Sequence, residues 1–163
     1  MDELATNLIR PDKYQVFLMT CPASLPLSFA SHPWFVANKK GVVTRWGVGW
    51  KPERYEAKER WGHLSMDNLP PFQGLRVLHF TDKLLWKSSL IKVIEGDENS
   101  IAEKMVKFIE ESPKAYPYKD TYSFLGPNSN TYAQWVINSF PELCMRLPWN
   151  SFGRGTNWKS ETK

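Results

Sequence analysis

The chain has little cysteine: two residues in 163, Cys21 and Cys144. They lie too far apart for a CxxC redox motif or a paired zinc knuckle, and no His/Cys/Asp/Glu spacing suited to a metal is present. Two reduced thiols are the simplest expectation. Nine glycines are scattered, and none builds a phosphate-binding loop or a dinucleotide fingerprint, so no cofactor is expected. No window approaches eighteen consecutive apolar residues, which excludes an ordinary membrane-spanning helix. The N-terminus, Met1-Asp2-Glu3-Leu4-Ala5, lacks a basic region leading into an apolar run, so no signal peptide is read there. A soluble, cytoplasmic protein is the expectation, with export open only by a route that needs no such signal. The excess of positive charge is small, +4, and not gathered into a stripe, so no nucleic-acid site is expected.

What is abundant is tryptophan and proline, eight and twelve residues. That mixture favours many short elements joined by loops over a helical bundle. The length fits one domain, set at residues 1–150, followed by a polar, basic tail over 151–163. Strands are predicted at Tyr14–Thr20, His32–Asn38, Val42–Val48, Leu75–Phe80 and Trp86–Ile94. Lys39-Lys40-Gly41 reads as the turn of a hairpin. The segment 51–71 is charged and carries no clear period. Ser100 and Glu103 form a capping box before Ile101, Met105, Phe108 and Ile109, which predicts a helix over 100–112 ended by Pro113. Tyr132, Trp135, Val136 and Phe140 predict a second helix over 131–140, with Trp135 central to the face that meets the sheet. Strands first and helices later make an α+β class, with helices beside an antiparallel sheet of about five strands.

The densest polar stretch is Gly126–Val136, Gly-Pro-Asn-Ser-Asn-Thr-Tyr-Ala-Gln-Trp-Val. Gly126-Pro127 stops what precedes, and Asn128, Ser129, Asn130 and Thr131 stand at the start of the second helix. Unpaired N–H groups and the positive dipole end gather at such a place. It can hold an oxyanion or activate a nucleophile, and it is also where ordinary helices put their caps. Of the three histidines, His32 opens a strand beside Pro33, His63 sits in a charged loop and reads as solvated, and His79 lies among apolar residues and reads as core. Cys21 and Cys144 have apolar neighbours and read as structural thiols. Thr44, Glu53, Glu56 and Asp67 are candidates to orient His32, none of them singled out. The surplus of tryptophans leaves room for a binding groove, with Trp34 and Trp46 as its walls. Arg146, Arg154, Lys159 and Lys163 could add an anionic contact near the end of the chain.

His32-Pro33-Trp34, Tyr116-Pro117-Tyr118 and above all Gly126-Pro127-Asn128-Ser129-Asn130-Thr131 resemble an uncharacterised bacterial family, the domain of unknown function numbered 3750. The similarity continues through Trp135-Val136, Pro141-Glu142-Leu143 and Leu147-Pro148, and it implies no activity. A fainter resemblance is to circularly permuted papain-like hydrolases, the NlpC-type peptidases and lecithin:retinol acyltransferase-like enzymes. In these a histidine opens an early strand and a cysteine begins a late helix. His32 and Asn128-Ser129-Asn130-Thr131-Tyr132 take the corresponding places, with Ser129 where the cysteine would stand. That resemblance implies a papain-like scaffold and hydrolysis or transfer of an amide or ester acyl group. Ser129 would be the nucleophile and His32 the base. The oxyanion site would form at the N–H groups near Ser129 and Asn130, shaped by Asn128 and Thr131. The substrate would be a small molecule, a peptide or a lipid acyl group. The alternative is a non-catalytic module on the same scaffold that binds a ligand or a protein partner.

Overall fold

A computed structural model describes residues 7–50 and 57–156. Six strands form one antiparallel sheet: β1 (Tyr14–Pro22), β2 (Ser31–Lys39), β3 (Val42–Val48), β4 (Glu59–Trp61), β5 (Leu64–Met66) and β6 (Ser89–Gly96). Their order across the sheet is β4-β5-β3-β2-β1-β6. The β2–β3 hairpin turns on Lys40 and Gly41, both at positive φ, and the Asn38 side chain accepts the Gly41 N–H at 2.8 Å. That two-residue turn matches the twist of the strands it joins.

Alternation along β1 and β2 divides the side chains between two cores. Tyr14, Val16, Leu18, Phe35 and Ala37 face one side with Ile109, Tyr132, Val136 and Ile137; Phe17, Met19, Cys21, Trp34 and Val36 face the other with Phe72. Two helices, α1 (Ile101–Ala115) and α2 (Ser129–Asn138), cover the first face. Among the described residues the loop face is closed without a helix, by Phe72, Leu75 and Trp86 from the segment between β5 and β6. The α+β class and the antiparallel sheet beside helices follow directly from this arrangement.

Several local expectations are corrected. Leu75–Phe80 forms no strand; it is one arm of an irregular loop held by a single Arg76–Leu85 bridge. The last strand begins at Ser89 rather than Trp86, and the short β4 and β5 add strands that were not expected. Pro113 lies inside α1, which runs on to Ala115. A proline there cannot donate to the Ile109 carbonyl. The Ser112 hydroxyl donates to it instead, at 2.7 Å, so the helix loses no partner. Trp135 is not central to the buried face: it is half-buried, against Phe108 of α1, Tyr116 just beyond that helix and its neighbour Tyr132. Tyr132, Ala133, Val136 and Ile137 fill the buried face.

Candidate functional site

β2 pairs with β3 only from Phe35 to Lys39, while β3 turns to β5 from Trp46 onward. Before Phe35 the start of β2 pairs with β1 and, among the described residues, with no second strand. A cavity of about 460 Å³ opens where β2 and β3 part. Its walls include His32, Trp34, Gly47, Val48, Phe124, Ser129 and Phe152. His32 and Ser129 therefore share one cavity, as do Asn128 and Asn130.

The start of α2 forms the polar end. Asn128, not Ser129, is the cap: its Oδ1 accepts the N–H groups of Asn130 at 2.9 Å and Thr131 at 3.2 Å. Thr131 Oγ1 accepts the Asn128 N–H in return at 3.0 Å, completing a capping box, and donates to the Gly153 carbonyl. The Asn128 amide also donates to the carbonyls of Ser123, Phe124 and Phe152. Asn130 donates to the carbonyls of Ser31 and Phe152, and its Oδ1 accepts from the Ser31 hydroxyl. These three side chains hold residues 151–153 and the head of β2 against the helix. The same packing requires two glycines. Gly126 and Gly153 both have positive φ, and a Cβ on Gly153 would lie 2.8 Å from the Asn128 side chain and 3.0 Å from Gly126 Cα.

Ser129 is treated differently. It is the first helical residue, 3 % exposed, and neither its hydroxyl nor its amide N–H has a hydrogen-bond partner among the described residues. The hydroxyl is not sealed in the core: among the described side chains only the Tyr116 hydroxyl is both fully buried and without a partner, and Ser129 lines the cavity. An N–H and an O–H side by side at a helix N-terminus, facing a cavity, offer a ligand oxygen two donors and a favourable dipole.

His32 reaches the cavity from the other face of the sheet. Its cross-strand partner is Cys21, on the Trp34 side, whereas its neighbour Ser31 faces α2. The imidazole lies 6.4 Å from the Trp34 ring and makes no hydrogen bond, to Ser129 or otherwise, among the described residues. Burial, and secondarily the positive charge of Arg45, push its pKa down to about 3, so the ring is neutral at physiological pH. Arg45 is itself buried; its guanidinium donates to the carbonyls of Pro70 and Gln73 and covers the Trp34 ring at 4.2 Å.

The other sequence candidates are dispersed. Trp34 lines the cavity, but Trp46 is buried in the helix-side core, stacked on Trp61, with its Nε1 donating to Thr44. Asp67 accepts the backbone N–H of Arg45, and Glu53 and Glu56 lie outside the described residues, as do Lys159 and Lys163. Cys21 is buried, accepts the Leu75 N–H through sulfur, and has its pKa raised to about 11 by desolvation; Cys144 is exposed. His63 is half-buried, with Nδ1 at 3.1 Å from the Gly49 carbonyl and its ring against Tyr122, and His79 is exposed at the cavity wall: both differ from expectation. No Asp or Glu lies on the described wall. Sequence reasoning did not find Ala23–Leu27, Tyr122, Phe124 and Phe152, because they reach the cavity from loops without periodicity.

The model of one protein family matches residues 14–156, most of the chain and all of this site. The chain belongs to the family described as protein of unknown function (DUF3750). The matched span contains the whole sheet, both helices and the 151–153 segment that closes on α2. No curated protein and no solved structure matches the chain. No helix among the described residues is long and apolar enough to cross a membrane.

Proposed function

We propose that this protein binds a small amphiphile bearing a carbonyl or carboxylate and does not cleave it. The observation that carries this reading is the pair of unengaged donors on Ser129, facing a cavity whose other described walls are mostly apolar. A cationic ligand head would meet no carboxylate on those walls. A ligand oxygen would be met by the Ser129 hydroxyl and N–H and by the dipole of α2. The apolar remainder would lie along Leu25, Leu27, Phe124 and Phe152. A volume of about 460 Å³ admits a group of roughly metabolite or medium-chain acyl size.

The second reading is acyl transfer or hydrolysis on a permuted papain-like scaffold, with Ser129 as nucleophile and His32 as base. It is favoured by the same free hydroxyl, which capping does not engage. It is disfavoured by the base. An imidazole depressed to about 3 accepts a proton poorly at neutral pH. His32 also has neither a bond to Ser129 nor an orienting carboxylate among the described residues. The Asn130 N–H, expected in an oxyanion site, is already engaged by Asn128.

Calorimetric titration with octanoate and octanamide, paired with a hydrolysis assay on p-nitrophenyl octanoate, separates the two. Saturable binding without turnover is expected. Absence of binding to the whole set overturns the proposal, and turnover abolished by Ser129→Ala replaces it with the second reading.

A further inference from the structure

Several large apolar side chains are exposed on the segments that supply the cavity wall. Phe80 is 84 % exposed, Trp149 81 %, Leu125 71 % and Phe29 57 %, with Leu84 and Leu25 also in solvent. They stand on four separate segments, 23–30, 75–87, 122–127 and 147–156, each of which contributes residues to the cavity wall or contacts a segment that does. Direct contacts make one rim of them. The Leu25 N–H donates to the Val77 carbonyl. The ring of Phe29 packs edge-on against Phe124 at 6.1 Å and Phe152 at 5.9 Å. The Asn150 amide donates to the Phe29 carbonyl, and the Ser31 N–H to the Asn150 carbonyl. Leu84 and Leu85 pair back onto Val77 and Arg76, which presents Phe80 near the tip of that loop.

The charge on these segments is one-sided. They carry Arg76, Lys83, Lys87 and Arg154 against Asp82 alone, and Asp82 pairs with Arg76. Lys83 and Lys87 are exposed beside Phe80, Leu84 and Leu85. Protruding apolar and aromatic tips on several loops, with lysines among them, suit a soft surface that admits each tip separately. A flat partner would leave gaps between them. Trp149 has the amphipathic ring that settles at the level of lipid head groups, and the lysines complement negative lipid.

We propose that this rim docks on an anionic lipid bilayer, with the cavity mouth turned towards it. Apolar tips would enter the head-group region, each gaining through buried area, while Lys83 and Lys87 add salt-sensitive attraction. Docking rests on the rim and not on the ligand proposed for the cavity, so the two can fail separately. The full chain, without added ligand, is sedimented with vesicles of phosphatidylcholine alone and of phosphatidylcholine mixed with phosphatidylglycerol. Association is expected with the mixed vesicles and is expected to weaken as salt is raised. Phe80→Asp combined with Leu125→Asp lowers it by roughly tenfold or more, since two apolar insertions are lost and two negative charges are added. Lys83→Glu with Lys87→Glu removes the preference for phosphatidylglycerol while leaving the circular dichroism unchanged. No association with either vesicle overturns the proposal, as does association that the rim variants leave unaltered. A concentration-dependent dimer that buries the rim and ignores vesicles also overturns it, in favour of a second copy of the chain.

Discussion

At the start of α1 the hydroxyl of Ser100 accepts the N–H of Glu103 at 3.2 Å, and Glu103 reaches back to accept the N–H of Asn99 at 2.7 Å. At the start of α2 that work belongs to Asn128 and Thr131, and the serine stands one position further on, at the cavity wall and without a partner among the described residues. Two helices thus begin with nearly the same residue types and use them differently. At the N-cap position a serine oxygen points back over the first turn and satisfies it; one residue later the side chain points outward, to whatever lies beside the helix. Beside Ser100 lies the Gly96 end of β6, and beside Ser129 lies a cavity. A serine at a helix start is free to meet something outside the helix only when another residue has taken the cap.

The largest effect should come from removing the residue that makes this difference. Asn128→Ala deletes the cap of α2 and takes one donor from each of the carbonyls of Ser123, Phe124 and Phe152; Gly126 still serves Ser123 and Asn130 still serves Phe152, so the Phe124 carbonyl is the one left without a donor among the described residues. Losing a cap costs about 1 kcal/mol, and a carbonyl left without a donor about 1–3 kcal/mol more, so roughly 2–4 kcal/mol is expected from urea denaturation. A loss of the size of a simple cap would mean that residues 151–153 are not held through Asn128.

Next in size is the pH response of the cavity. His32 has a folded pKa lowered to about 3 by burial, against about 6.5 when unfolded. Below pH 6.5 the unfolded chain takes up a proton that the folded chain refuses. The contribution of the neutral ring is therefore complete above pH 6.5 and is lost as pH falls towards 3. At pH 5 the loss is up to about 2 kcal/mol. His32→Gln does not titrate, so its stability relative to the parent should rise between pH 7 and pH 5. A difference that stays flat over that range would mean the ring is well solvated, and the cavity wetter than its walls suggest.

The contrast between the helix starts was only half legible in the sequence. The capping box at Ser100 and Glu103 is a local pattern, and it formed where local chemistry says it should. At α2 each of the four polar residues in the run is an acceptable cap, and sequence alone does not say which takes the position. The choice is fixed by Phe152 and Gly153, which arrive from more than twenty residues away to occupy the Asn128, Asn130 and Thr131 side chains. The same division runs through the fold. Strands β1 to β3 were readable because each buries an alternating or continuous apolar run. Leu75–Phe80 has the composition of a strand but supplies Leu75, Arg76 and His79 to the cavity wall, and it is tied to its other arm by one bridge rather than a ladder. The shared cavity of His32 and Ser129 depends on β2 and β3 parting after Phe35, a matter of register that composition does not record.

Ser100→Ala sharpens the contrast from the α1 side. It should cost about 1 kcal/mol, the usual value for a lost hydroxyl cap, because the Glu103 N–H then depends on water. The melting temperature should fall by a few degrees, and ligand binding in the cavity should be unaffected. An unchanged melting temperature would mean that the Glu103–Asn99 contact holds the turn unaided.

Ser129→Ala should have the smallest effect on stability and the most specific one on binding. Its hydroxyl satisfies no backbone group, and alanine suits a helix interior at least as well as serine, so the free energy of unfolding should move by less than about 0.5 kcal/mol. A ligand oxygen held by that hydroxyl would lose one donor while keeping the Ser129 N–H, which weakens binding by about 0.5–1.5 kcal/mol, or roughly two- to twelvefold. Octanoate titrated against the parent and the variant measures the second quantity, and urea denaturation of the same two proteins the first. A stability loss as large as that of Ser100→Ala would show that Ser129 caps α2 after all, and the contrast between the two helix starts would disappear. Equal octanoate affinity in both proteins, with stability unchanged, would place the ligand oxygen elsewhere in the cavity.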